Sequence, residues 1–426
     1  MKNSGVEWID EIPEDWEVIK LFWIMIFING YAFDGTSLSL ENTIPVIRIG
    51  NIVDGKIDYS SCLLSEEKNE LNSFSPQKGD IIIAMSGATT GKIGIATEKK
   101  AYINQRVGII RSEINTLLKY YLQLSAFEKY IELLSAGSAQ PNISMKQIQD
   151  FKIPLPPKST QQRIASYLDK KCSKIEETIQ NQQQVIDKLK AYKQSLITEA
   201  VTGKIKIQNG KVCGKYESYK DSGVEWIGKI PSGWEVGKFG RFAQVKSNLV
   251  DPNLYLEYPQ IAPDNIGKGS GKLIDWQTVK DSGVISWNHL FFKGQIVYSK
   301  IRPTLNKLII APFDGLCSAD MYPIETNMYK QFFVYMMLSQ YFVEQVGLIT
   351  RDRVKMPKIN QNELSGILIT VPTKEEQKEI SDYLDKKCTA IDTAIEQKQK
   401  LIEKLTEYKK SLIYECVTGK KEVINV

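Results

Sequence analysis

Two stretches of the chain repeat apolar residues at alternating intervals of four and three. In the first, Leu168, Cys172, Ile175, Ile179, Gln182, Ile186, Leu189, Lys193 and Leu196 keep that spacing without a break. In the second, Leu384, Cys388, Ile391, Ile395, Lys398, Ile402, Leu405, Lys409 and Leu412 keep the same register. A period of 3.5 residues held this long predicts a coiled-coil seam rather than a half-buried surface helix. Pro154, Pro156 and Pro157 precede the first helix and Pro372 the second, while Thr202-Gly203 and Thr418-Gly419 supply the stops. Each helix, at about 40 residues, is expected to run ~60 Å. Each needs a partner for its seam, and the other helix is the nearest candidate. Antiparallel pairing, which relates the two by a pseudo-twofold axis, is the favoured arrangement. The alternative is that each helix packs on its own globular segment. The polar seam positions Gln182, Lys193, Lys398 and Lys409 could fix the register.

Between the helical stretches the pattern shortens. Val46–Ile49, Ile81–Met85, Ile93–Ala96 and Val107–Ile110 read as strands divided by Gly, Asp and Lys turns, followed by a helical pattern at Leu117–Leu134. Gln295–Lys300 and Lys307–Ala311 read as strands in the second half, with a helix at Phe332–Val346. A Lys-Gly-Asp turn at 78–80 and a Lys-Gly-Gln turn at 293–295 introduce the central strands. The longest apolar run, Leu21–Ile28, is expected to be a buried strand or helix segment. It is far short of the roughly 20 residues that a membrane-spanning helix needs. No signal peptide is visible in MKNSGVEWID, so the chain is expected to be cytoplasmic.

The chain repeats itself. Ser4–Ile9 (SGVEWI) recurs at Ser222–Ile227, and Ile12–Val18 (IPEDWEV) recurs as Ile230–Val236 (IPSGWEV). Ile164–Cys172 (IASYLDKKC) recurs as Ile380–Cys388 (ISDYLDKKC), and Tyr192–Lys204 as Tyr408–Lys420. No comparable match links residues 20–135 with 238–350. Two copies thus share a frame and differ in their middles, which asks for a physical reason. The boundaries drawn from this are 1–153 and 206–371 for two compact α/β units, and 154–205 and 372–426 for the helices. Composition adds little: 426 residues, 42% hydrophobic and 25% charged, exclude a disordered chain or a disulfide scaffold. The net charge of +5 is too mild to declare a nucleic-acid partner. Six cysteines without a CxxC pair and one histidine, His289, point to buried thiols and no metal site. Trp8, Trp16, Trp226 and Trp234 belong to the repeated frame and are read as packing residues rather than base-stacking platforms.

The order of these motifs resembles the specificity subunit of Type I restriction-modification systems. The likeness rests on the WI…IP..W openings, the helix entries Ile153–Asp169 and Ile369–Asp385, and the SLITEAVTGK and SLIYECVTGK exits. The middles, at Lys78–Gly94 and Lys293–Ile324, are similar to that family's target-recognition domains. The resemblance implies an α+β tandem repeat in which two α/β target-recognition domains are separated by two long antiparallel helices forming a coiled coil. It implies that each domain reads one half of a bipartite double-stranded DNA site. It also implies that the helices act as a spacer and dock two modification subunits, which carry S-adenosylmethionine and methylate adenine, with restriction subunits of helicase-nuclease type joining the complex. On that reading the partners see the frame and DNA sees the middles. The chain itself is expected to be non-catalytic, with no cofactor, no metal and no membrane association.

Donor chemistry selects the DNA-contact candidates. Arg suits guanine, Asn and Gln suit adenine, and Lys, Ser and Thr suit phosphates. In the first domain these are Ser86, Thr89, Thr90 and Lys92, with Asn104, Gln105 and Arg106. In the second they are Lys300, Arg302, Thr304, Asn306 and Lys307, with Arg351 and Arg353 in the loop 351–358; its counterpart is the loop 137–142, the two aligning about Pro357 and Pro141. Ser86–Lys92 superficially suggests a nucleotide loop, but only three residues separate its glycines and Ile93 stands where a hydroxyl is required. A phosphate-facing loop or a plain hairpin turn remain the two readings. Two contrasting functions are a self-contained DNA-modifying enzyme, for which no cofactor motif is present, and a coiled-coil adaptor with two protein-binding heads. The acidic opening, residues 1–17, is expected to face away from DNA.

Overall fold

The computed structural model describes residues 1–135, 141–225, 227–353 and 355–424. The chain divides into two compact units, Met1–Gln182 with Lys400–Val426, and Gln183–Gln399. This division runs through the long helices rather than at their ends, so each unit holds a stretch of both. The same plan is found inside each unit.

In the first unit the apolar run Ile81–Ala84 is buried along its whole length and forms an inner strand. It lies between Ile93–Ile95 and Val107–Arg111, with Ile26–Asn29 at the edge, all neighbours antiparallel. In the second unit Ile296–Ser299 occupies the same place between Leu308–Ile310 and Met321–Thr326, with Ala243–Val245 at the edge. A further sheet in each unit contains one parallel pair: Tyr102–Ile103 on Ile44–Ile47, and Gly315–Cys317 on Pro259–Ile261. The expected strands are present, their ends shifted by at most two residues.

Three expectations change. The segment Leu117–Leu134 is two helices, Asn115–Tyr121 and Ser125–Ser135. Phe332–Val346 likewise divides into Lys330–Leu338 and Gln340–Thr350, bent by 59°. The break follows from tertiary bonding: Ser339 is extended, and the Gln340 amide donates to Thr198 Oγ1 of the first long helix at 3.0 Å. The bend lets two apolar faces turn inward, since every side chain of Phe332–Leu338 is buried. The run Leu21–Ile28 is not wholly buried. Leu21 and Met25 face the core, but Phe22, Trp23 and Ile26 are exposed, because the run continues into the edge strand.

The two long helices, Lys158–Val201 and Lys374–Val417, each span 44 residues. In the first unit Leu168, Cys172 and Ile175 share a core with Leu412, Ile413 and Cys416, with Ile179 and Leu405 against it. In the second unit Leu196 and Leu189 share a core with Leu384, Ile391 and Ile395. The start of one helix therefore meets the end of the other in both units, which makes the pairing antiparallel. Ile186 is buried and Ile402 half-buried. The polar seam lysines make equivalent ion pairs, Lys409 with Glu176 at 2.5 Å and Lys193 with Asp392 at 2.7 Å. Lys272 of the second globular part joins Asp392 at 2.7 Å. Burial pushes the Asp392 carboxyl up, but the hydrogen bonds and charges of the two lysines outweigh it and hold its pKa below the ordinary value.

The repeated frame has a packing reason. Each helix ends on a left-handed glycine, Gly203 (φ +71°) or Gly419 (φ +74°). A Cβ there would lie 2.3 Å from Pro231 Cδ or 2.4 Å from Pro13 Cδ, with Trp234 or Trp16 alongside. Each VTGK exit is thus the seat of an IP..W opening, which is why both motifs recur. Trp16 and Trp234 are buried, and Trp8 stacks on Phe151 with ring centroids 5.7 Å apart. Trp226 lies outside the described residues. The acidic opening packs beside the end of the second long helix, with Lys420 3.6 Å from Asp10. Five cysteines are buried, whereas Cys213 is exposed on a short hairpin. Among the described residues no single helix is long and apolar enough to cross a membrane.

Candidate nucleic-acid interface

The candidate residues gather around one loop in each unit. Ser86–Lys92 connects the antiparallel strands Ile81–Ala84 and Ile93–Ile95, so it is a hairpin connection. It turns through a 3-10 segment, Gly87–Thr89, and closes by Ala84 N–H to Lys92 O at 2.9 Å. Ile301–Lys307 does the same in the second unit through Pro303–Leu305, with Ser299 N–H to Lys307 O at 2.9 Å.

The neighbours of the two loops match bond for bond. Gly87 N–H donates to Pro141 O at 2.9 Å, and Arg302 N–H to Pro357 O at 2.7 Å. Met85 N–H donates to Arg106 O at 2.9 Å, and Lys300 N–H to Asp320 O at 3.0 Å. Asn104 N–H donates to Ile47 O and Ser318 N–H to Ile261 O, both at 2.9 Å. A turn next along the chain is held by an asparagine in each case: Asn51 Oδ1 accepts from Arg48 N–H at 2.8 Å, and Asn265 Oδ1 from Ala262 N–H at 2.7 Å. Backbone groups thus tie the hairpin loop and its neighbours into one mouth, and an asparagine side chain holds the fourth turn in each unit.

Those side chains differ. In the first mouth Gln105, Arg106 and Lys92 are exposed, while Ser86 and Asn104 are half-buried. Thr89 Oγ1 donates to Ile49 O at 3.3 Å, and Thr90 Oγ1 to Gly87 O at 2.7 Å and Pro141 O at 3.2 Å. The two threonines brace the loop, and their hydroxyl hydrogens are committed inside it. The Arg106 guanidinium has no ion pair among the described residues. Residues 137–140 of the adjoining candidate loop lie outside the described residues; Asn142 bridges to Ser86.

In the second mouth Arg302 and Thr304 are exposed. Arg302 stands at φ +43°, a left-handed conformation that a non-glycine residue rarely adopts, and its guanidinium is likewise unpaired among the described residues. Lys300 is half-buried, its ammonium 5.2 Å above the Tyr322 ring. Arg351 is exposed beside Glu344, Gly347 and Leu348. Three candidates have internal roles instead. Asn306 is buried at φ +48°, the corner that Gly91 (φ +83°) makes in the first loop, and its Nδ2 donates to Met337 O at 2.8 Å. Lys307 is buried with its ammonium on Pro263 O at 2.6 Å and Asp264 at 3.2 Å. Arg353 is bound to Glu363 and to the Lys358 carbonyl, and that partnership raises its pKa. Asn306 and Lys307 turn their donors inward and Arg353 is partly committed to Glu363, so the exposed candidates of the mouth stand ahead of these three.

Two features of the mouths have no clear mark in the sequence: the asparagine-held turn, Ile49–Asn51 and Pro263–Asn265, and the Asp320–Lys358 ion pair at 2.9 Å. The signal was faint. Ile47-Arg48-Ile49-Gly50-Asn51-Ile52 and Ile261-Ala262-Pro263-Asp264-Asn265-Ile266 share three residues of six. Beneath the mouths, Asp80 is buried against Arg111 at 2.6 Å, where the second unit pairs Gln295 with Glu325 at 2.9 Å. The lone histidine, His289, is buried, and burial with the nearby Lys300 charge holds its pKa down.

The mouths therefore present guanidinium, amide, hydroxyl and ammonium donors on rigid backbone, a set suited to base edges and phosphates. A family model described as the Type I restriction modification DNA specificity domain matches the chain twice, over residues 13–191 and 231–406. The EcoDI specificity subunit of Escherichia coli is 30% identical over 96% of this chain and 89% of its own length. The MjaVIII specificity subunit of Methanocaldococcus jannaschii is 26% identical over 97% and 95%. A solved structure concerned with complex assembly and conformational transition of the type I R-M system contains a chain of like fold, with a TM-score of 0.66. That chain is 13% identical, and the match covers 96% of this chain and 100% of that one. With two family domains, a full-length relative and the duplicated mouths in agreement, the chain belongs to the specificity subunits of Type I restriction-modification systems.

Proposed function

We propose that this chain is the non-catalytic, DNA-reading subunit of a cytoplasmic Type I restriction-modification complex. Each unit reads one half of a bipartite duplex site. The paired helices dock two modification subunits, and restriction subunits join through the complex. The observation that carries this is the duplicated mouth: the same backbone bonds hold loops whose outward side chains have diverged, as two readers of different sequences require. Ser86, Lys92, Asn104, Gln105 and Arg106 serve the first half-site, and Lys300, Arg302, Thr304 and Arg351 the second. Thr89 and Thr90 support the first loop. Chemistry on the base belongs to the modification subunits. In this chain the mouth residues are donors rather than nucleophiles, and His289 is buried away from substrate. Selection of bound duplexes from a random library, with the chain and its modification subunit together, tests the reading. A split consensus with a fixed gap is expected. Methyl transfer by this chain alone, or no sequence preference in the assembly, contradicts it.

A further inference from the structure

The long helices repeat more than their pairing needs. At a spacing of 216 residues the seam side chains recur, as packing requires, but so do several on the solvent side: Lys171 and Lys387, Lys188 and Lys404, Tyr192 and Tyr408, Ser195 and Ser411. All eight are exposed. Other exposed positions have changed freely, among them Lys174 to Ala390, Lys190 to Thr406 and Ala191 to Glu407. Ser195 and Ser411 are each accounted for within the chain, donating to Glu199 and Glu415 at 2.7 Å; for the lysines and tyrosines, identity at exposed sites amid such drift points to a surface used twice.

The repeated residues cluster. Lys188, Tyr192 and Ser195 are spaced by four and three and lie in one stripe, as do Lys404, Tyr408 and Ser411. In the second unit Tyr192 lies near Tyr383, whose ring has the Lys387 ammonium 5.9 Å from its centroid. In the first unit Tyr408 and Tyr167 converge on Lys421, and Lys171 lies 5.8 Å from the Tyr167 centroid. Tyr192 and Tyr408 remain 55% and 53% exposed. An exposed tyrosine beside a second tyrosine that a lysine overlies is the composition of an interface anchor, with Tyr383 itself buried as support, since tyrosine offers large contact area with few torsions to freeze.

We infer that Tyr192 with Tyr383, Lys188 and Lys387, and Tyr408 with Tyr167, Lys171 and Lys404, are two equivalent seats for the modification subunit, one copy to each. The assignment rests on the docking role proposed above and gives it residues. Duplication is the argument: a partner bound twice in the same way preserves the same surface twice, whereas the DNA half-sites, being different, do not. The lysines call for a partner surface that sets carboxylates around an apolar hollow for the tyrosine.

The test uses the full chain and its cognate modification subunit, followed by calorimetric titration and native mass spectrometry. Wild type is expected to bind two copies. Tyr192→Ala and Tyr408→Ala should each weaken one site by roughly thirty-fold and spare the other, the size of a hot-spot loss. The double variant should weaken both, Tyr→Phe should retain binding, and Lys188→Glu with Lys404→Glu should reproduce the loss. If wild type binds two copies and the double alanine variant binds them as tightly, these seats are wrong and the docking role stands. If wild type binds none, the docking role itself fails. If the tyrosine variants lose DNA affinity while partner binding is unchanged, the patches contact phosphates instead and the assignment is overturned.

Discussion

The two mouths differ least where their backbone is bonded and most where their side chains point outward. In the first, the loop at Asn104–Arg106 carries a guanidinium without an ion pair among the described residues, and the hairpin loop supplies hydroxyls and Lys92. In the second, the position of Arg106 is held by Asp320, already paired with Lys358 at 2.9 Å, and guanidinium groups without an ion pair among the described residues stand on Arg302 of the hairpin loop and on Arg351. The corner made by Gly91 becomes Asn306, a residue that also tolerates the left-handed region. Beneath them an acid–base pair, Asp80 with Arg111, is exchanged for Gln295 with Glu325. A frame held by main-chain bonds leaves the reading group free to migrate from loop to loop, and this is how one architecture can carry two unrelated specificities.

Perturbing the frame should act alike in both units, and perturbing what differs should not. The largest effect is expected at the helix exits. Trp16→Ala and Trp234→Ala each remove a buried ring from beside the terminal glycine and should destabilise their own unit by about 3–5 kcal/mol, read from denaturant unfolding. A large effect in one and none in the other would break the equivalence of the two exits. Next comes the pair beneath the mouths. Arg111→Ala leaves the Asp80 carboxylate buried without its partner, a loss of about 2–3 kcal/mol. Glu325→Ala leaves the neutral Gln295 amide short of an acceptor and frees Lys246, and should cost less, about 1 kcal/mol; equal losses would show that the exchange of charge for amide is immaterial. The smallest effect concerns Asp392, tied to Lys193 and Lys272 in the second unit only. Because its folded pKa is depressed, the tie contributes fully above the usual carboxylate range and is lost as the pH falls through the lowered folded value. The second unit should therefore lose a little stability as the pH falls through that lowered value. Asp392→Asn should abolish that part of the acid limb; an unaltered limb would assign it to other groups.

Much of this was legible in the residues. The seam spacing gave the helices and their partners, because a period of 3.5 has few other physical solutions. The recurring VTGK and IP..W motifs identified the frame, though only the structure shows that each exit seats an opening. What was not legible was the direction of individual side chains. Asn306 and Lys307 belong to the same hairpin loop as Arg302, and no local pattern tells that one is a backbone corner and the other a strut to Pro263. Arg353 was chosen for its charge, but Glu363, ten residues on, already holds it. The breaks at Ser339 and after Tyr121 were invisible for a similar reason: a continuous apolar run cannot report that it buries two faces against different neighbours. The mouth at Asn51 and Asn265 was hidden because a turn made by main-chain bonds needs only one specific residue.

The central claim is that the two units read separate halves of one site, each with its own guanidinium. Library selection repeated with Arg106→Ala and with Arg302→Ala tests it most directly. The account predicts that each variant relaxes one half of the split consensus, a different half in each case, by about 1–3 kcal/mol of discrimination at one base pair, and leaves the other half and the gap unchanged. Relaxation of the same half by both variants, or of both halves by either one, would contradict it.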